Sequence, residues 1–142
     1  MQFRTLNRDG AENVFRTVLN VQGATITTGL PVSLVNTSTD GVSGVIADAA
    51  ADYTGFVGVA IQNIANNDYG RIQTSGFVAS ILLSHVGTSI TINAGDPLVP
   101  SPSGFFSGAP TYANSGFKYL FASNTPAAVS AGAYASGLIK TV

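Results

Sequence analysis

Turn-forming residues interrupt this chain at intervals of roughly eight to twelve residues, and that interval limits the possible folds more than any other feature. Its 16 glycines, with clusters such as Asn36-Thr37-Ser38-Thr39-Asp40-Gly41 and Asn66-Asn67-Asp68, break the sequence before a long helix could develop. Pieces of this length suit the short strands of a sandwich or barrel.

The residues between the breaks are of the strand-forming kind. Val14-Phe15-Arg16-Thr17-Val18-Leu19-Asn20-Val21 predicts a strand, followed by Thr25-Ile26-Thr27, Pro31 to Val35 and Val42 to Ile46. Phe56 to Ile61 comes next. The long run from Tyr69 to Leu83 is then expected to form the core hairpin, with a bulge or bend at Gly76. Ile90 to Ile92, Leu98-Val99, Phe105-Phe106, Tyr119 to Ala122 and Leu138 to Val142 complete the predicted strands. Only Ala47-Asp48-Ala49-Ala50-Ala51-Asp52 has helix-forming composition, enough for a turn or two.

The fold class predicted is therefore all-β, a small compact β barrel or sandwich of short strands with at most a short helical turn. A length of 142 residues suits one domain with one hydrophobic core. Residues 1–13 are assigned to an N-terminal arm and 14–142 to a single β domain. Ile26-Thr27-Thr28-Gly29-Leu30-Pro31-Val32 is echoed by Ile92-Asn93-Ala94-Gly95-Asp96-Pro97-Leu98. That echo leaves open a pair of similar β units closing around the core.

Charge narrows the function. Charged residues make up 9% of the chain, against roughly 25% in an ordinary soluble domain. With a formal net charge of -1 there is no basic footprint for a nucleic-acid backbone or an anionic membrane. No apolar run approaches the ~20 residues of a membrane-spanning helix, and a soluble protein is expected. So neutral a surface associates easily, which points to other protein as the partner. The first residues carry charges where a secretory signal has its apolar core, so Sec-type export is not expected.

Catalytic chemistry is poorly supplied. The chain has no cysteine, which excludes disulfides, thiolate nucleophiles and Cys-ligated zinc. His85 is the single histidine, at the end of an apolar run, and reads as a strand-end residue instead of a base. Neither a Gly-x-Ser-x-Gly elbow nor two glycines separated by one residue occurs, so the nucleophile-elbow and dinucleotide fingerprints are absent. Asp48 and Asp52 could share one face of a short helix, but the segment lacks the dense oxygen ligands of a calcium loop. Asp9-Gly10 and Asp40-Gly41 read as turns. The eight Phe and five Tyr do not alternate with basic residues and are assigned to core and interface packing. No catalytic, cofactor-binding or metal-binding residue is assigned, no cofactor is expected, and the chain is read as a structural or binding module. An enzyme with an unfamiliar site would need clustered acids or Tyr/His/Arg groups, and the seven carboxylates are scattered.

One stretch carries a family pattern. Gly58-Val59-Ala60, then Gly70-Arg71-Ile72-Gln73-Thr74-Ser75-Gly76-Phe77-Val78, then Ile92-Asn93-Ala94-Gly95-Asp96-Pro97-Leu98 and Ser103-Gly104 resemble the strand and turn series of the capsid decoration, or cement, proteins of tailed bacteriophages. The pattern is departed from after Phe117, where Ala127 to Gly137 is rich in alanine.

The resemblance implies a compact β barrel and a structural virion protein. It would be made in the host cytoplasm and sit on the outer surface of the phage capsid as a homotrimer. There it would hold neighbouring copies of the major capsid protein together, with no nucleic acid or membrane as partner. The alternative is a phage fibre or receptor-binding β module recognising a host surface glycan. The N-terminal arm suits contact with the shell: Arg4, Arg8, Asp9, Glu12 and Arg16 supply charge, and Phe3 and Leu6 supply apolar anchors. The competing view of the same residues is a solvated, frayed terminus.

Overall fold

The computed structural model describes residues 13–35, 37–47, 55–84, 94–101, 103–107, 119–122 and 132–140. Nine strands form among them, and no helix. They are β1 (Val14–Asn20), β2 (Pro31–Leu34), β3 (Ser43–Ile46), β4 (Phe56–Ala60), β5 (Tyr69–Leu82), β6 (Leu98–Ser101), β7 (Gly104–Ser107), β8 (Tyr119–Ala122) and β9 (Tyr134–Lys140). Of the all-β barrel or sandwich predicted from the turn spacing, the observed fold is a barrel with extra strands.

Five strands close on themselves. The order β1-β3-β2-β4-β5 returns to its start because β5 also pairs with β1, running Val14↔Ser75 to Leu19↔Tyr69. Every pairing in this circuit is antiparallel except that of β1 with β3. Closure leaves these five strands without the open sheet edges that invite aggregation.

The 14-residue β5 links the barrel to a second layer. At Gln73 it meets Phe15 of β1 on one edge and Val59 of β4 on the other. Beyond that point β9 takes over, from Ser75↔Lys140 to Leu82↔Tyr134, and β8 lies outside β9. The run from Tyr69 is therefore one continuous strand and not the expected core hairpin. Gly76 adopts φ 100° and bends the strand without reversing it. Partners from distant parts of the chain occupy both edges at Ser75, which keeps the backbone extended there.

Two apolar clusters lie on opposite sides of β4. Val18, Val32, Ala60 and Ile72 fill the barrel, with Ile26, Leu30 and Ile64 alongside them. Phe56, Val59, Val78, Ile81, Leu83, Leu98, Phe105, Ala135 and Ile139 form the second cluster. Phe56 and Phe105 meet edge to face at 5.9 Å within it. Val59 and Ala60 are adjacent residues on opposite faces, so β4 is apolar throughout instead of alternating. One core was expected; covering both faces of β4 produces two. Close packing needs glycine at two points. A Cβ on Gly58 would lie 2.5 Å from the Gln73 carbonyl oxygen. At Gly70 a Cβ would meet the buried Ile64 side chain within 3 Å.

Strand limits differ from the sequence expectation where side chains intervene. β1 stops at Asn20 because its buried amide donates to Ala24 O (2.7 Å) and Ile64 O (2.8 Å), while Oδ1 accepts from Gln22 N (2.8 Å), turning the chain. The last strand begins at Tyr134 instead of Leu138, because the small Ala135 fits opposite Ile81 in the second cluster. Ile26 makes a single bridge with Ile64 and no strand.

The sequence echo extends to local conformation. Gly29 and Gly95 have φ values of 87° and 91°, each shortly before a proline that leads into β2 or β6. From there the two segments diverge, since β2 joins the barrel and β6 pairs with β7 in a separate two-stranded sheet. Ala47 lies in no helix, and the remainder of that expected turn falls outside the described residues, as do Ile90 to Ile92.

Candidate functional site

Most residues singled out for chemistry lie outside the described residues: Phe3, Arg4, Leu6, Arg8, Asp9 and Glu12 of the arm, and His85, Asp48 and Asp52. Arg16 is described. It is exposed on β1, and its Nη2 donates to the carbonyl oxygen of Gly41 in the β2–β3 turn. Among the described residues no group of three or more acids or histidines could hold a metal ion.

That β2–β3 turn is built around Asp40. Its Oδ1 accepts from Val42 N (2.9 Å) and Ser43 N (3.0 Å), and Oδ2 accepts from the Ser43 hydroxyl (2.7 Å). Hydrogen bonding, first from the Ser38 side chain and then from Ser43 and Val42, holds this carboxyl well below the usual carboxylate range. Such a carboxylate is a fully engaged turn residue and a poor acid or base.

The outward faces of the strands offer more. Tyr69 and Arg71 are two residues apart on β5 and therefore share a face; Leu19 and Thr17 are their register partners on β1. Phe15 continues this row, with the Arg71 guanidinium 5.6 Å from its ring centroid. Phe15 is 44% exposed and Tyr69 65%. A second face lies on β5 and β9, where Phe77 (42%) and Leu138 (52%) are direct register partners and Tyr134 is exposed on the same side of β9.

No family model matches the chain, and no curated protein matches it. Its fold is similar to that of a solved structure, the N base of the head fiber gp8.5 of bacteriophage phi29. The TM-score is 0.54 and the identity 16%, over 91% of this chain and 95% of that one. A likeness at this identity is one of fold. It spans nearly the whole of both chains.

Neither outward face was singled out from the sequence, where the aromatics were assigned to packing in general. The signal for the first is the alternation Tyr69-Gly70-Arg71-Ile72, which puts the two inward positions on Gly70 and Ile72 and the large polar-tipped residues outside. Phe77 and Leu138 gave no such signal, since each stands within an apolar run.

Proposed function

We propose that this chain is a structural protein of a bacteriophage virion. It attaches to the outside of the assembled head as a homotrimer, binds the major capsid protein there, and stabilises the shell as a decoration protein. It carries out no catalysis with its own residues. The observation that carries this reading is the likeness in fold to a phage head-fibre base across nearly the full length of both chains. The strand and turn series of Gly58 to Ala60, Gly70 to Val78 and Ile92 to Leu98 supports it independently through its resemblance to decoration proteins. An exposed apolar face on β5 and β9 suits a subunit that meets other subunits. Charges and apolar anchors from Phe3 to Arg16 suit attachment to the shell.

A second reading, a fibre or receptor-binding module that recognises a host surface glycan, draws on the same neighbour, because that protein is itself part of a fibre. Incubating the purified chain separately with expanded heads and with host cells separates the two. A decoration protein stays with the heads, and a receptor-binding module stays with the cells.

A further inference from the structure

The outward row on β1 and β5 has the composition of an interface centre. Tyr and Arg, with Phe, are the residue types concentrated at such centres, because each combines a large, stiff contact area with a polar or aromatic handle. Here all three stand together on one ribbon. Arg71 lies over the Phe15 ring, which restricts the guanidinium without using its hydrogen-bonding edge. Among the described residues Arg71 has no carboxylate partner. In a chain with so few charges, an exposed cation held in place by an aromatic ring and without a counter-charge among the described residues is complementary to an anion supplied from outside.

Its position adds a second argument. Asn13, where the N-terminal arm meets the domain, is fixed to β5 through Gln73 and Phe77, and Phe15 follows two residues later. The arm thus leaves the domain at the end of the same ribbon.

We infer that the β1–β5 face formed by Phe15, Thr17, Tyr69 and Arg71 is where the folded domain docks on the shell, with Arg71 taking a carboxylate from an acidic segment of the major capsid protein. This assignment rests on the head-bound role proposed above. Phe15 and Tyr69 form the apolar surround that excludes water from the ion pair.

The test uses the full chain and purified expanded heads, with four proteins: unsubstituted, R71E, R71K and the F15A/Y69A double variant. Retained strand content and melting temperature establish that each is folded. The unsubstituted chain is expected to bind and R71E to bind about tenfold or more weakly. R71K, which keeps the charge but loses the planar fork, is expected to fall between them. F15A/Y69A is expected to weaken binding by a similar factor to R71E. Folded R71E and F15A/Y69A proteins that bind heads as tightly as the unsubstituted chain would overturn the assignment while leaving the head-bound role intact. Failure of the unsubstituted chain to bind heads would instead overturn that role, and this assignment with it.

Discussion

The side chain of Asn13 receives the buried amide of Gln73: Gln73 Nε2 donates to Asn13 Oδ1 at 3.1 Å across the start of the barrel. The same Oδ1 accepts from Phe77 N at 3.1 Å, and Gln73 Nε2 also donates to the carbonyl oxygens of Phe77 (2.9 Å) and Ser75 (3.2 Å). One amide thereby spans the bend at Gly76, where β5 passes from the barrel to the second layer. Replacing Gln73 with leucine keeps much of the volume but removes the donor shared by these acceptors, leaving Asn13 Oδ1 with Phe77 N alone. The expected loss is about 1 kcal/mol in urea unfolding, the usual net contribution of hydrogen bonding at a part-buried position. Unchanged stability would show that the bend holds without the clamp.

The passage through Gly76 also shows what the sequence could and could not reveal. Strand residues and turn positions were legible from alternation and from glycine, because both reflect local backbone preference. Gly76 reads as an interruption because glycine weakens an isolated strand; the partners that keep β5 continuous through its bend, β1 and β9, come from opposite ends of the chain. The parallel pairing of β1 with β3 and the closure of the barrel are equally non-local. Arg16 illustrates the limit for the candidate site. Its charge was legible and grouped it with the arm, yet its bond to Gly41, a residue 25 positions away, depends on the fold.

Asp40 gives the turn between β2 and β3 an acid sensitivity. Its carboxyl titrates below its ordinary value in the folded chain, so the unfolded chain binds the proton first. The stability contributed by the ionised group is present above the unfolded value of 3.8 and is lost as pH falls from there towards the folded value. An Asp40→Asn variant retains an acceptor for Val42 N and Ser43 N but has no such proton linkage. Unfolding midpoints measured from pH 5 downward are expected to converge for the two proteins as pH drops below about 4. Parallel curves over that range would remove Asp40 from the acid response.

Phe77 and Leu138, paired across β5 and β9 and both exposed, are expected to lie between subunits. Sedimentation equilibrium should give a trimer for the unsubstituted chain and smaller species for F77S/L138S, with strand content unchanged in both. Cutting apolar area from a subunit contact weakens association while sparing residues that each folded monomer already exposes. An unsubstituted chain that is monomeric both in solution and on heads would show that this face has another use.

The arm is expected to contribute to attachment and little to folding, since it precedes the barrel and holds four of the chain's 13 Lys, Arg, Asp and Glu residues, with Arg16 following in β1. Deleting residues 1–12 should leave a folded oligomer with near-normal melting that binds heads much more weakly. Raised salt should weaken the intact chain as well, by screening its charges. A truncated protein that decorates heads as tightly as the full chain would reduce the arm to a solvated tail.

Most direct of all is imaging of purified expanded heads by electron cryo-microscopy after incubation with the full chain, with host cells incubated in parallel. A structural head protein should appear as regular added density on the outer surface of the shell, and the heads should withstand higher temperature than bare ones. Bare heads beside cells coated with the protein would contradict the account and favour recognition of a host receptor.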